Sequence, residues 1–119
     1  MTHLLCPNPA LDRTLLVEKN IPLQPTEVRD YPGGKNFNVA HALRENGVTD
    51  YTIHTILGGQ ISRYIQELNA DSGNVLRVVE NGQNTRTCNI YVETSTGDVA
   101  LFYEKGFELI AELLDQFTR

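Results

Sequence analysis

Two hydrophobic periods alternate along this chain. Short runs of aliphatic and β-branched residues occupy positions 3–6, 11–18, 26–31, 51–57, 75–79, 87–93 and 98–103, and each reads as a strand. Pro7 and Pro9 end the first run. Thr14, Leu15, Leu16 and Val17 make the second, and Thr52, Ile53, Thr55 and Ile56 give the fourth its β-branched character. Three other segments repeat at helical spacing. After the glycines at 33 and 34, Val39, Ala40 and Leu43 fall on one face, with Gly47 a turn beyond as the stop. Ile61, Tyr64, Ile65 and Leu68 stand at i, i+3, i+4 and i+7 in a helix over 60–70. A third helix over 108–117 carries Leu109, Ile110, Leu113, Leu114 and Phe117. Pro22 and Pro25 mark 20–25 as a loop, and Thr94-Ser95-Thr96-Gly97 closes a hairpin between the last two strands.

Strands that alternate with helices predict an α/β fold, a sheet assembled from βαβ units. The early strand pair and the late hairpin do not fit that sheet. They predict a separate small β sheet, a lid or a contact surface, built from about 12–31 and 87–103, beside an α/β part comprising 3–7, 32–80 and 108–118. With 119 residues the chain suits one domain, 1–119, with one core.

Composition narrows the function classes. Hydrophobic residues make up 40% and charged residues 21%, the balance of a globular protein rather than a disordered one. No apolar run approaches the ~20 residues that cross a bilayer, and the first residues lack the basic start and apolar stretch of a signal peptide. A cytoplasmic setting with no membrane partner is expected. The net charge of −5 argues against nucleic acid, so any anion site must be built from a few local cations. Cys6 and Cys88 form either a long-range disulfide or two buried thiols. His3, His41 and His54 lack metal-ligand spacing and read as surface or satisfied core residues, so no metal site is expected.

The candidate chemistry centres on Pro32-Gly33-Gly34-Lys35-Asn36-Phe37-Asn38. Two adjacent glycines let a ligand lie against the backbone, and the helix that follows offers first-turn N–H groups and a positive dipole end. Lys35 adds a cation there, and Asn36 and Asn38 add amides able to bond hydroxyls. The bland reading is a turn that merely punctuates a strand and a helix.

Asn8-Pro9-Ala10-Leu11-Asp12, the run 32–43, Ile56-Leu57-Gly58-Gly59 and Thr85-Arg86 occur in an order and spacing that resemble the PfkB branch of the ribokinase-like sugar kinases. The nearest likeness is to 1-phosphofructokinases and tagatose-6-phosphate kinases. The resemblance implies that Asp12 accepts bonds from sugar hydroxyls, that Gly33 and Gly34 let the sugar lie close, and that Asn38 bonds another hydroxyl. It implies that Lys35 and Arg86 pair with the phosphate of a sugar phosphate. The alternatives remain a turn role for Asp12, a solvated cation for Arg86, and a bond to a neighbouring strand for Asn38.

Kinases of this kind transfer the γ-phosphate of ATP to a sugar-phosphate hydroxyl with magnesium. A Gly-Ala-Gly-Asp type motif supplies the catalytic aspartate, together with the nucleotide site, in their C-terminal half. That motif is absent from these 119 residues, so no catalytic residue is assigned here and the chain is expected to be the substrate-binding part, inactive alone. Other departures accompany this. Asn36 stands where the family keeps glycine, Gln60-Ile61-Ser62 replaces an acidic-Thr-Gly segment, Leu23-Gln24 replaces Asn-Arg, and Phe107 replaces proline. A truncated ribokinase-like fold leaves a strand edge and apolar helix surface open, so a homo-oligomer through the lid sheet or the open edge is expected.

Overall fold

The computed structural model describes residues 1–18 and 25–118. The elements run β1 (Thr2–Cys6), β2 (Ala10–Val17), β3 (Glu27–Gly33), α1 (Lys35–Glu45), β4 (Tyr51–Gly58), α2 (Gly59–Ser72), β5 (Val75–Asn81), β6 (Arg86–Glu93), β7 (Val99–Tyr103) and α3 (Ala111–Thr118). They form two sheets. One is a three-stranded parallel sheet of order β1-β4-β5, the α/β body. The other is a four-stranded sheet of order β3-β2-β6-β7, in which β2 and β6 run parallel and the outer pairs are antiparallel. This is the α/β architecture with a small second sheet that the alternating periods predict. The expected loop around Leu23-Gln24 lies outside the described residues.

Alternation along β4 splits the body into two layers. Tyr51, Ile53 and Leu57 face α1 and α2 and meet Phe37, Ala40 and Ile65, together with Leu4 and Cys6 of β1 and Leu11 of the second sheet. Ile56 faces the other way and packs with Val79, Leu113, Phe117 and the partly buried Phe107. Tyr51 is buried to its hydroxyl, which donates to Asn74 Oδ1 and receives the Arg44 Nε–H at 3.2 Å. Those bonds, with Arg44 Nη2 donating to Gly73 O at 2.9 Å, pin the end of α2 to α1.

The helices refine the pattern. On α2 the expected stripe of Ile61, Tyr64, Ile65 and Leu68 packs on the core. On α1 the inward face is Phe37 and Ala40, while Val39 is 42% exposed. The helix begins at Lys35, directly after the glycine turn, and that start sets a rotation in which positions i and i+3 from Phe37 meet the sheet. The third helix starts at Ala111 rather than 108, and only Leu113 and Phe117 are buried, with Leu109, Ile110 and Leu114 exposed. Among the described residues its main contacts are with β4 and β5, and those three apolar side chains stay exposed.

Both cysteines are free and buried, Cys6 in β1 and Cys88 in β6. His3 Nδ1 and His54 Nε2 are 2.9 Å apart across β1 and β4, and His41 pairs with Glu45 at 3.6 Å on the surface of α1. No helix among the described residues is long and apolar enough to cross a membrane.

Ile53 is fully buried, so Ile53→Ala is expected to destabilise by about 2–5 kcal/mol. Val39→Ala should change stability by less than about 0.5 kcal/mol, as for an ordinary surface site. Urea denaturation of the two variants checks which face of α1 and β4 carries the core.

Candidate functional site

The four strands of the second sheet bring sequence-distant residues to one end. Ala10 of β2 lies opposite Gly33 of β3 on one side and Arg86 of β6 on the other. Two residues along, Asp12 lies opposite Tyr31 and Cys88. Asp12, Gly33 and Arg86 therefore share one corner, where the sheet meets the start of α1.

Gly33 has no room for a side chain. A Cβ there would lie 2.3 Å from Asp12 Cγ and 2.4 Å from both carboxylate oxygens, so the carboxylate rests against bare backbone. Gly34 caps α1 with φ +113, a conformation that favours glycine, and a Cβ there would lie 2.8 Å from Cys6 Sγ. The sulfur thus fills the hollow beneath the helix start, where the nearby N–H groups of Asn36 and Phe37 favour its thiolate form. Burial nonetheless pushes the Cys6 thiol above its usual value. Nothing in the sequence marked Cys6 for this role, since only the β1–α1 packing places it under the turn.

Arg86 is half-buried, with Nε 3.4 Å from Pro9 O and Nη2 3.4 Å from Asn8 O. These are long contacts, and they turn the guanidinium toward the Asn8-Pro9 turn. Its charge still reaches Asp12. Burial raises the Asp12 carboxyl above the ordinary carboxylate range, and Arg86 opposes that shift. Lys35 is exposed at the first position of α1 and makes no ion pair or hydrogen bond among the described residues.

A cavity of about 660 Å³ opens between the second sheet and the helices. Asp12 and Asn38 line it, with Thr14, Asp30, Phe37 and Ile90. Gly33, Gly34, Lys35 and Arg86 are not among its lining residues, so the six sequence-predicted residues divide between the cavity wall and the corner beside it. A second depression of about 560 Å³ runs along α2 past Gly59. There Ser62 Oγ donates to Glu80 at 3.0 Å and Gln66 Nε2 donates to both, so these three side chains bond one another.

Gly58-Gly59 and Thr85-Arg86, far apart in sequence, are joined directly. Gly58 N–H donates to Thr85 Oγ1 at 2.9 Å, and Thr85 N–H donates to Gly58 O at 3.1 Å. A Cβ at Gly58 would lie 1.9 Å from Gln83 O, and one at Gly59 (φ +68) 1.6 Å from Asn84 Oδ1. The glycine pair is thus a seat for the loop that delivers Arg86. The unusual residues are absorbed as well. Asn36 Nδ2 donates to Leu5 O, Ile61 packs on the core, Ser62 is buried, and Phe107 joins the α3 cluster.

The two sheets in this arrangement define the class: the chain has the fold of the N-terminal part of the ribokinase-like, PfkB-type sugar kinases. Among solved structures it is similar to phosphofructokinase-2 from Escherichia coli in complex with fructose-6-phosphate, at 25% identity and a TM-score of 0.88, covering 98% of this chain and 39% of that one. A possible 1-phosphofructokinase from Thermotoga maritima matches at 21% identity and 0.86, over 99% of this chain and 39% of its own. A putative ribokinase from Agrobacterium tumefaciens matches at 19% and 0.71, over 88% and 36%. The chain thus spans well under half the length of these structures. No protein-family model and no curated protein matches the sequence.

Because the Asp12 carboxyl is raised by burial, the folded protein binds a proton there more tightly than the unfolded chain does. Stability therefore falls as pH rises from the ordinary carboxylate value through the raised one, and the full cost is present above the raised value. Asp12→Asn is expected to raise the melting temperature at pH 7 without ligand, and to lose that advantage below the ordinary carboxylate range. Thermal melts of the two proteins from pH 3 to 8 check this; a variant less stable at pH 7 would contradict it.

Proposed function

We propose that this chain is the substrate-binding part of a sugar-phosphate kinase of the phosphofructokinase type. The observation that carries the reading is the corner itself: a bare glycine backbone against the Asp12 carboxylate, with Arg86 delivered beside it by another strand. In this reading Asp12 accepts bonds from two sugar hydroxyls, which a carboxylate does readily. Asn38 bonds a further hydroxyl from the cavity wall. Gly33 and Gly34 keep the floor low, while Lys35 and Arg86 pair with the phosphate, Arg86 exchanging its long contacts to Asn8 and Pro9 for stronger charge-assisted bonds. A ligand phosphate replaces no existing ion pair of Lys35.

ATP and magnesium belong to the reaction of such kinases, supplying the phosphoryl group and neutralising its charge. The reading assigns no residue of this chain to the metal or the nucleotide. It assigns the site residues to binding and orienting the sugar phosphate. The 119-residue polypeptide by itself is proposed to bind without phosphorylating, in a cytoplasmic setting.

A second reading, a sugar-phosphate-binding or oligomerisation module, is favoured by the apolar side chains on the outer hairpin. Val99, Leu101, Phe102 and Tyr103 of β7 are all exposed, and β7 is an edge strand. Unpaired edges with apolar side chains recruit partners. One solved neighbour is a tetrameric inhibited form of the Escherichia coli phosphofructokinase-2.

Calorimetry with fructose 6-phosphate, fructose 1-phosphate and tagatose 6-phosphate is expected to show binding of at least one, weakened more than about tenfold by Asp12→Ala or Arg86→Ala, as for lost charged hydrogen bonds. A coupled ADP-release assay should stay at background. Turnover clearly above it would refute the non-catalytic reading, and binding indifferent to both substitutions would refute the site. Size-exclusion chromatography with light scattering should show self-association in the micromolar range. Phe102→Lys should shift it toward monomer, and a clean monomer before substitution would exclude the oligomer.

A further inference from the structure

One partly buried polar cluster lies outside the corner. Arg13 of β2 stands directly opposite Asp30 of β3. Its Nε donates to Asp30 Oδ1 at 2.8 Å and its Nη2 to Oδ2 at 3.1 Å, a two-pronged ion pair. The hydroxyl of Tyr64, on α2, donates to the same Oδ2 at 2.5 Å. Asp30 is the hub, its side chain only 11% exposed against 40% for Arg13. Two of these residues belong to the second sheet and one to the body.

We propose that Arg13, Asp30 and Tyr64 are positioning residues for the sugar-phosphate site, a clamp that holds the second sheet at one angle over α2 and thereby sets where Asp12 stands. The proposal rests on the sugar-phosphate reading above.

Leverage is the physical reason. The connections between sheet and body run through residues 7–9, Gly34, 82–85 and 104–110. The register places all four at one end, with Ala10, Gly33 and Arg86 in one row and Cys88 opposite Tyr103 close by. A sheet tethered at one end is free to pivot there. Asp30 sits three residues up β3 from Gly33, about 10 Å from that end at strand rise, where a bond has leverage against rotation. Tyr64 is a rigid post, because Ile61, Ile65 and Leu68 around it are seated in the core.

The chemistry suits a clamp that stays closed at neutral pH. Arg13 holds the Asp30 carboxyl below the usual carboxylate range, so it remains an acceptor, and Asp30 holds the Tyr64 phenol above its usual value, so it remains a donor. Arg13 follows Asp12 immediately in β2, so its side chain leaves the opposite face of the strand and grips it without competing for the sugar. Asp30 also lines the cavity that Asp12 and Asn38 share, so movement of the clamp alters that wall directly.

The test uses the whole 119-residue chain. Spin labels on Leu101→Cys in the sheet and Ala70→Cys on α2 occupy exposed positions, while native Cys6 and Cys88 are buried. Electron–electron double resonance, with unlabelled protein in excess, is expected to give one narrow distance distribution in the parent and a broadened or shifted one in Tyr64→Phe and Asp30→Asn. Calorimetry with fructose 6-phosphate should show binding weakened about five- to tenfold by Tyr64→Phe, the scale of one lost hydrogen bond. An unchanged distance distribution, or unchanged affinity with a changed distribution, overturns the clamp while leaving the sugar-phosphate reading intact. Affinity indifferent to Asp12→Asn, or no binding by the parent, overturns that reading and the proposal with it.

Discussion

The parallel pairing of β2 with β6 is the constraint on which the rest depends. It joins Ala10 to Arg86 and Asp12 to Cys88 across most of the chain, and turns two separate strand pairs into one sheet. Without it β2–β3 would be an isolated ribbon, marginal in water, and β6–β7 another. With it, the acidic residue of one ribbon and the cation of the other stand at the same end. A parallel pair needs a long crossover between its strands, and that crossover here is the body itself: α1, β4, α2 and β5 all lie between β2 and β6 in the chain. The body is thus both a folding unit and the connection that registers the site.

Glycines work as contacts in this arrangement more than as hinges. Gly33 lets a carboxylate rest on its backbone, and Gly58 and Gly59 let the 82–85 loop lie across the start of α2. In each case a neighbouring oxygen occupies the space that a Cβ would need. The same economy governs Cys6, whose sulfur fills the hollow beneath Gly34. Dense polar packing under the turn leaves Asp12 partly desolvated, with a carboxyl less acidic than usual.

Much of the fold was legible because its signals are local. The α2 stripe of Ile61, Tyr64, Ile65 and Leu68 obeys one helical period, and the β-branched run in β4 is bounded by Gly58-Gly59. Where the signal was ambiguous, the reading slipped. Val39 looked inward beside Ala40 and Leu43, yet the start of α1 at Lys35 turned Phe37 inward and Val39 out. The third helix starts a turn later than its apolar pattern, at Ala111, and holds the body through Leu113 and Phe117. Of the site, residue types and motif order pointed to Asp12, Gly33, Gly34, Lys35, Asn38 and Arg86. Their division between a cavity wall and an adjoining corner was not readable, since it follows from side-chain directions.

Sequence alone determined the elements, the strand pairs set apart from the main sheet, and the glycine turn leading into α1, because each follows from neighbours in the chain: period, proline and glycine. Only the tertiary structure decided that β2 and β6 pair in parallel, that Cys6 lies beneath Gly34, that Gly58 seats Thr85, and that Tyr64 reaches Asp30. Those contacts join residues tens of positions apart, and no local preference encodes them. They arise when two sheets and three helices settle on a common core, and the corner around Asp12 exists only once they have done so.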